Sequence, residues 1–376
     1  MRAEVLVVGG SLSGASLAAS LARAGVDVLV LEKARFPREK ICGEFLSHEA
    51  LPLLDRLGVL DGLRARGAER ISGFRVARAG GTPAAGRLPF EVLSVSRALL
   101  DTALAEAAEK AGARFVFGSP VTGLEGSLAE GFRVTTPKSA FEARVVVGAW
   151  GRYSPLDGRL GRAFYATPAP LFGFKKHLRG ASAHLKDTVA LHVFAGGYLG
   201  LSRIEPAEGE KEPRVNLGAL ATPEVATRAH HNLDELLDDL VARSPALARD
   251  LEGLQREPGP PLVSEPVHLG ARDASERDVL FVGDAAGVLD PWTGTGMAHA
   301  LLSGEAAAEP VTAFLAGRPG DLPAEHGRAQ RRLAGSRFFW SRAFRPFLMG
   351  RAARFVVPAA APLATLAARL TRPSAS

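Results

Sequence analysis

The sequence predicts an α/β protein in which a nucleotide-binding domain of alternating strands and helices is joined to a second domain built on a mixed β-sheet. Three observations support this fold class. At the N-terminus, an apolar strand pattern runs straight into a glycine-rich turn and a helix of small residues. A second apolar strand ends in a Gly-Asp pair near residue 283. Between them lie short alternating runs broken by glycine and proline, a pattern typical of sheet strands.

Composition and charge exclude several classes of protein. The 376 residues are 47% hydrophobic, which is enough for a substantial core. The net charge of +6 comes from scattered basic residues, so we expect no nucleic-acid partner. The single cysteine, Cys42, excludes an internal disulfide framework, and we expect no metal site. No signal-peptide pattern precedes the first strand, so we expect a cytoplasmic protein.

The C-terminal segment leaves two interpretations open. The apolar stretch from Phe355 to Leu370 is interrupted by Pro358 and Pro362, and it is too short and too broken to span a bilayer. We favour a helix pair that packs on the core. The alternative is a peripheral contact in which the segment lies on a membrane surface or covers an apolar pocket. The oligomeric state is left open by these patterns.

The N-terminal segment has the pattern of a dinucleotide-binding βαβ unit. The apolar run 4–8 leads into a turn between Gly9 and Gly14, a small-residue helix follows, and the second strand ends in Glu32. Gly9 allows the tight turn and Gly14 lets helix and strand approach closely, while the helix N-terminus attracts a pyrophosphate. Glu32 is placed to bind ribose hydroxyls. Ser11 replaces the usual middle glycine, which we interpret as a tolerated variant.

Three further segments resemble motifs of the para-hydroxybenzoate hydroxylase-like flavoproteins. Residues 96–104 resemble the R-x-x-L-D-x-x-L helix start of that family, which implies that Arg97 reaches an FAD. Residues 279–287 resemble the family's Gly-Asp motif, which implies that Asp284 binds the ribityl chain. Residues 291–297 resemble the segment beside the isoalloxazine ring, where a helix dipole would stabilise an anionic reduced flavin.

A fourth segment narrows the resemblance. Residues 37–43 are similar to the P-x-x-K-x-C-G motif of geranylgeranyl reductases and of related flavin halogenases and hydroxylases. The resemblance covers residues 1 to about 175 and about 265 to 310. It implies a Rossmann-like FAD-binding domain of the glutathione-reductase type, a mixed β-sheet substrate domain and C-terminal helices.

The motifs divide the chain into a discontinuous FAD-binding domain and an inserted substrate domain. We assign the FAD-binding domain to residues 1–70, 95–165 and 265–320, the substrate-binding sheet to 71–94 and 166–264, and a C-terminal helical segment to 321–376. Short apolar runs between residues 164 and 220 predict strands of the sheet. Residues 227–249 predict one amphipathic helix with a leucine face.

The resemblance implies that FAD contacts come from both ends of the chain. The expected cofactor-binding residues are Gly9, Ser13, Gly14, Glu32, Lys33, Lys40, Cys42, Arg97, Val121, Trp150, Gly283, Asp284, Pro291, Gly294, Thr295, Gly296 and Met297. Cys42 is also a candidate for the active site, with a packed small thiol as the alternative. On the predicted sheet lie His177, His184 and His192, for which a surface or core histidine is the more frequent explanation than an acid or base.

Two departures from the family pattern bear on function. Trp150 stands where the family has the acid of an Asp-Gly pair. Its presence leaves the route of flavin reduction open, although Trp150 can pack on the cofactor instead. The second departure lies at residues 196–204, which contain neither the Y-x-W-x-F-P pattern of geranylgeranyl reductases nor the W-x-W-x-I-P pattern of halogenases.

These features favour an FAD-dependent monooxygenase of the hydroxylase or epoxidase type, with NAD(P)H as electron donor. Its substrate would be an apolar, aromatic or polyketide-like small molecule of secondary metabolism. The alternative is an FAD-dependent reductase of isoprenoid double bonds, supported by the Cys42 motif and the apolar C-terminus. A flavin halogenase is third. A non-catalytic FAD sensor is the last candidate, because it leaves a full substrate domain without a purpose.

Overall fold

The computed structural model describes residues 1–78, 81–167, 171–180, 182–230, 232–264, 267–341 and 343. The helices are α1 Leu12–Arg23, α2 Leu51–Arg56, α3 Leu60–Ala65, α4 Arg97–Lys110, α5 Pro155–Arg159, α6 Pro223–Arg228, α7 Leu233–Arg243, α8 Pro245–Asp250, α9 Gly296–Leu315 and α10 Leu322–Ala334. The strands are β1 Arg2–Val8, β2 Val28–Glu32, β3 Phe45–Leu46, β4 Glu69–Arg78, β5 Ala84–Ser94, β6 Arg114–Phe117, β7 Gly123–Ser127, β8 Gly131–Thr135, β9 Ala140–Gly148, β10 Phe172–Arg179, β11 Thr188–Phe194, β12 Gly197–Pro206, β13 Pro213–Ala221, β14 Gln255–Arg256, β15 Leu262–Val263, β16 Gly270–Ala271, β17 Ser275–Glu276, β18 Val279–Phe281 and β19 Gly287–Val288.

The first sheet carries the glycine-rich turn. Its strands run in the order β17-β18-β9-β1-β2-β6, and β1 pairs in parallel with both β2 and β9. Val5 and Val7 of β1 pack on one face with α1, α4 and α9, whereas Leu6 packs on the other. Because both faces are covered, the central strands must be apolar at every position, which is why β1 reads as a continuous apolar run. The predicted α/β fold class is confirmed.

The second sheet lies beside the first and has the order β14-β10-β13-β12-β11-β4-β5-β3. Leu199, Leu201 and Leu217 of this sheet pack in a core with helices α6, α7 and α8. Successive residues of a strand point to opposite faces, so the residues between these leucines face the other way, towards the first sheet. Strand β3 belongs to this second sheet although it lies within the range 1–70 that the sequence assigns to the nucleotide-binding domain.

The prediction of a single helix over residues 227–249 is wrong, because the chain forms the end of α6, then α7 and α8 there instead. Asn232 begins α7 by accepting a hydrogen bond from the backbone N–H of Asp234 at 2.9 Å. Pro245 cannot continue α7, since it lacks an N–H group, and it stands in the first turn of α8. The expected leucine face is confirmed: Leu233, Leu236, Leu237 and Leu240 are all buried.

The C-terminal part of the chain is described as far as α10 and the residues that follow it to 341. The apolar stretch from Phe355 to Leu370 lies outside the described residues, so its two interpretations stay predictions. Within the described part of the chain, none of the helices combines the length and the apolar character needed to cross a membrane.

Helices α1 and α9 approach each other closely, at the end of α1 that follows the glycine-rich turn. A Cβ atom at Gly304 of α9 would lie 2.1 Å from the carbonyl oxygen of Ser13 and 3.1 Å from the backbone nitrogen of Leu17. These are backbone atoms, which cannot move aside as a flexible side chain can. The close approach therefore depends on glycine at position 304.

We expect Gly304→Ala to lower the free energy of unfolding by about 1–3 kcal/mol, because the methyl group forces α9 away from α1. Gly62→Ala is the matched control. Gly62 is exposed in α3, and no atom of the described residues lies within 4 Å of the place its Cβ would take. This control should raise stability, by up to about 1 kcal/mol. Denaturant titration measures both, and equal effects would contradict the role assigned to Gly304.

Candidate active site

The glycine-rich turn is closed by backbone contacts and by one carboxylate. Gly9 has a φ of +105°, and a Cβ at Gly14 would lie 1.8 Å from the carbonyl oxygen of Gly9. Both positions therefore require glycine. The buried carboxylate of Glu32 accepts hydrogen bonds from the backbone N–H groups of Gly10 at 2.7 Å and Ala34 at 2.9 Å. Glu32 thus holds the end of β2 against the turn.

The structure gives a reason for the serine at position 11 that the sequence did not reveal. Its hydroxyl donates to the Asp101 carboxylate at 2.9 Å and accepts from the Arg97 guanidinium at 2.5 Å. Arg97 and Asp101 form a buried ion pair, one turn apart on α4, with Nε and Oδ1 3.0 Å apart. A glycine at position 11 could make neither contact. The departure from the glycine pattern is therefore a specific link between the turn and α4.

A cavity of about 690 Å³ opens beside this turn, between the two sheets. It brings together predicted cofactor-binding residues from distant parts of the sequence: Ser13, Lys40, Cys42, Arg97, Asp284, Pro291, Gly294, Gly296 and Met297 line it. Gly296 and Met297, at the N-terminus of α9, form part of this wall, so the free N–H groups of the first turn lie beside the cavity. Such an arrangement can hold an anionic or dipolar group at the helix N-terminus.

The other predicted cofactor-binding residues lie outside the lining of the cavity. Gly283 has a φ of +61°, and a Cβ there would lie 2.6 Å from Ser13 Oγ, so it fixes the backbone next to Asp284. Thr295 is buried directly before α9. Lys33 is exposed after β2, and Val121 packs at the edge of the core on the far side of the first sheet. Roles for these four residues stay predictions.

Trp150 also lies outside the cavity lining and makes its contacts within the protein. Its indole N–H donates to Asp157 Oδ1 at 3.1 Å, and its ring meets Phe281 edge to face at a centroid distance of 5.4 Å. Asp157 is fully buried and also pairs with Arg162 at 2.9 Å. These contacts give Trp150 a packing role in the first domain, and its contact with the cofactor stays a prediction.

Positive charge is concentrated where the cavity meets the turn. Lys40 lies near Arg97 and Arg38, and the carboxylates that act on it are those of Asp101 and Asp284. Burial lowers the pKa of Lys40, and the charges of Arg97 and Arg38 lower it further, to about 8. No salt bridge engages Lys40 among the residues that the structure describes. The site therefore has an unpaired cation that an anionic ligand would stabilise.

A buried carboxylate that the sequence analysis missed stands directly after the cysteine motif. Glu44 is fully buried and has a φ of +52°, which is uncommon for a residue with a side chain. It accepts hydrogen bonds from Lys175 Nζ at 2.6 Å, from the backbone N–H of Arg97 at 2.8 Å, and pairs with His177 Nε2 at 2.8 Å. Glu44 thus joins the 39–44 loop to β10 and α4.

The charge of Glu44 is maintained by its neighbours. Burial alone would raise the pKa of the Glu44 carboxyl, but the Lys175 ammonium and the hydrogen bond from His177 outweigh burial and lower it to about 2. Ligand atoms of Glu39, Glu44 and His177 lie within 4.8 Å of one another, close enough for a metal ion. The Lys175 ammonium bridges the two carboxylates, 2.5 Å from Glu39 and 2.6 Å from Glu44, and so supplies the positive charge itself.

The three histidines of the predicted sheet have separate positions. His177 belongs to the Glu44 cluster. His192 is buried on the opposite face of the sheet, where its Nε2 lies 2.9 Å from Asp250 Oδ2, and His184 is exposed. None of the three lines the cavity. Cys42 does line it, and its carbonyl oxygen accepts a hydrogen bond from Asn216 Nδ2 at 3.2 Å.

Comparison with known proteins agrees with this geometry. A family described as the FAD binding domain matches residues 2–194, which is more than half of the chain. The menaquinone reductase of Mycobacterium tuberculosis is 30% identical over 320 residues, covering 82% of this chain and 76% of that protein. The chain belongs to the FAD-binding domain family. The predicted resemblance to para-hydroxybenzoate hydroxylase-like flavoproteins is thereby confirmed.

Two further similarities place the flavoprotein within that family. The geranylgeranyl diphosphate reductase of Rhodobacter capsulatus is 29% identical over 337 residues, which cover 86% of this chain and 78% of that protein. The structure of the flavin-dependent brominase Bmp2 superposes with a TM-score of 0.80 and 19% identity, over 99% of this chain and 93% of that one. The second similarity shows the shared fold. The protein is an FAD-dependent oxidoreductase by family.

The residues of the flavoprotein fit FAD. Ser11, Leu12 and Ser13, between Gly9 and Gly14, line the cavity, so the glycine-rich turn and the start of α1 face the space that the cofactor would fill. Lys40 and the N-terminus of α1 offer positive charge to a pyrophosphate. Asp284 and the start of α9 line the other side of the cavity, where the flavin end of the cofactor would lie. Bound FAD would supply the redox chemistry that the side chains lack.

We expect Glu44→Gln to lower the free energy of unfolding by about 3–5 kcal/mol at neutral pH, because Lys175 loses its buried partner and keeps the partly exposed Glu39. Glu39→Gln is the control: its carboxylate touches the same lysine but is 37% exposed, so we expect about 1 kcal/mol or less. Denaturant titration measures both. Similar losses in the two variants would contradict the central place given to Glu44.

Wild type and Glu44→Gln should also differ in how their stability depends on pH. The folded-state pKa of Glu44 lies below its ordinary value of 4.5, so its stabilising effect is complete above that pH. It should be lost as the pH falls from 4.5 towards about 2. The difference in unfolding free energy between wild type and Glu44→Gln should therefore shrink over this range. A difference that stays constant in acid would show that the Glu44 charge is not the cause.

FAD affinity should depend on the charge of Lys40. The ammonium is present below a pKa of about 8 and is lost above it, so apoprotein should bind FAD more weakly as the pH rises through this value. The loss is at most about tenfold per pH unit for one proton. Fluorescence titration with FAD measures it. Lys40→Met should remove this change in affinity with pH. Lys110→Met, at the exposed end of α4, is the control and should keep it. An unchanged pH dependence in Lys40→Met would refute the assignment.

Proposed function

We propose that the protein is an FAD-dependent reductase that acts on a carbon-carbon double bond of an isoprenoid-type lipid, with NAD(P)H as the electron donor. The observation that carries the proposal is the character of the cavity wall. Beside the flavin segments, the wall that the second sheet contributes is mostly apolar. A large hydrocarbon can be buried there, whereas a polar substrate would find few hydrogen-bond partners.

The apolar wall is built by residues from several strands and one loop. They share a position on the sheet face that points towards the first domain: Phe74, Val76, Val189, Leu191, Tyr198 and Leu220, with Val288, Leu289 and Trp292 opposite. Lys40, Arg97 and Asp284 line the cofactor end instead. The separation supports binding of a long apolar molecule whose reactive part reaches the flavin.

The named relatives support the same proposal. Two relatives, each matched over more than four fifths of this chain, are called reductases, one of menaquinone and one of geranylgeranyl diphosphate. Both names contain an isoprenoid compound. An apolar cavity of this size suits such a chain, and we infer that the substrate class is shared.

The second candidate is the monooxygenase that the sequence alone favours, acting on an apolar aromatic or polyketide-like molecule. Residues 196–204 favour it, because they lack the tryptophan pattern of geranylgeranyl reductases. In the structure this stretch begins β12, where Tyr198 and Gly200 line the cavity. Both candidates share an apolar small-molecule substrate. For both we propose a cytoplasmic protein whose C-terminal segment can contact a membrane.

The two candidates differ in the atoms gained by the product. The FAD-loaded protein is mixed with NADPH or NADH and geranylgeraniol or menaquinone, without oxygen, and products are identified by mass spectrometry. We expect a product with two hydrogen atoms added across a double bond of the isoprenoid chain, formed anaerobically and located by fragmentation. Asp284→Ala, which should lose FAD, is the control. A product that forms only in air and gains one oxygen atom would replace the reductase with the monooxygenase.

A further inference from the structure

Three glycines of the second sheet line the cavity, and at two of them a Cβ would contact another segment of the protein. A Cβ at Gly173 would lie 3.2 Å from Ser264 Oγ and 3.4 Å from Ile41 Cγ2. A Cβ at Gly218 would lie 3.6 Å from both the Cys42 carbonyl oxygen and the Gly43 Cα. At Gly173 a Cβ would press on the Ser264 and Ile41 side chains, and at Gly218 it would be in van der Waals contact with the backbone of residues 42–43.

At Gly200, a Cβ would make no such contact with a segment beyond the paired strand among the described residues. It pairs directly with Gly218 across β12 and β13. The one described atom within 4 Å of its Cβ position is the Gly218 carbonyl oxygen, at 3.8 Å. Its φ also lies outside the range that requires glycine. Glycine in a strand costs about 0.5–1 kcal/mol relative to alanine, so neither the fold nor the backbone accounts for it.

The neighbours of Gly200 show in which direction a side chain at position 200 would point. Leu199 and Leu201 are fully buried in the core with helices α6, α7 and α8. Residues alternate in direction along a strand, so a side chain at position 200 would point to the opposite face, into the cavity. Two other cavity glycines with free Cβ positions, Gly43 and Gly296, belong to segments that the family motifs assign to the flavin. Gly200 belongs to no such segment.

We propose that Gly200 is a specificity-determining residue: it keeps a flat slot open over β12 in which the unsaturated segment of an apolar substrate lies. The inference deepens the proposed function and rests on it for the substrate class. Around the slot, Tyr198 and Leu220 provide apolar walls on the same sheet face, and Leu191 extends them along β11. A planar alkene with its methyl branch in the same plane fits over bare backbone, whereas a bulky tetrahedral branch would need more depth.

The test compares Gly200→Leu with the matched control Gly62→Leu. Both glycines have open Cβ positions, but Gly62 is exposed in α3, far from the cavity lining. Binding of geranylgeraniol and of 1-naphthol to the oxidised holoprotein is followed by flavin fluorescence. FAD content and thermal midpoint are recorded for each variant, because a folded, FAD-loaded Gly200→Leu is required for the comparison. Gly200→Ala is the second variant, used if the leucine variant fails to load FAD.

We expect Gly200→Leu to weaken geranylgeraniol binding by about tenfold or more, with FAD content unchanged, and Gly62→Leu to bind as wild type does. Gly200→Ala should weaken it by a smaller factor. Equal binding by wild type and both Gly200 variants would overturn the inference and leave the proposed function standing. If the wild type binds 1-naphthol but not geranylgeraniol, and Gly200→Leu loses 1-naphthol binding, the isoprenoid proposal is overturned and the slot is retained. Wild type that binds neither probe would overturn both.

Discussion

The buried carboxylate of Glu44 is the interaction on which the architecture of the site depends. It lies where three parts of the molecule meet: the loop that carries Lys40 and Cys42, strand β10 of the second sheet, and the start of α4. Its hydrogen bonds with Lys175, His177 and the backbone of Arg97 use both carboxylate oxygens. A buried charge is tolerated only when it is paired in this way. Glu44 therefore ties the loop and the start of α4 to strand β10 of the second sheet.

From this junction the site is organised by a change in polarity. At the turn, Ser11, Arg97 and Asp101 form a compact buried network, and Lys40 adds an unpaired cation beside it. Towards the second sheet, charged groups give way to aliphatic and aromatic side chains. A cofactor with an anionic middle and a flat redox-active end suits the first region. The second has a mostly apolar lining, so charge that develops on a bound cofactor would be stabilised by the fixed dipoles and cations of the first.

The fold places glycine at several tight positions for different physical reasons. At Gly14 and Gly304, a Cβ would meet the backbone of another segment, so these glycines permit close packing of β1, α1 and α9. At Gly218 the neighbouring segment is the 41–43 loop, which lies over the sheet. Gly200 differs from these three in that its free space faces the cavity. The same residue type thus serves the packing of the protein at some positions and the shape of its substrate site at another.

The sequence by itself determined the features that depend on local pattern. The run of apolar residues into Gly9 and Gly14 indicated the parallel strand and turn, since both follow from backbone sterics and burial at neighbouring positions. The motifs around Asp284 indicated the second half of the cofactor site for the same reason. Only the tertiary structure decided which distant residues meet. It joined Glu44 to Lys175 and paired Ser11 with Asp101, because these contacts depend on how the two sheets pack, and no local pattern encodes that.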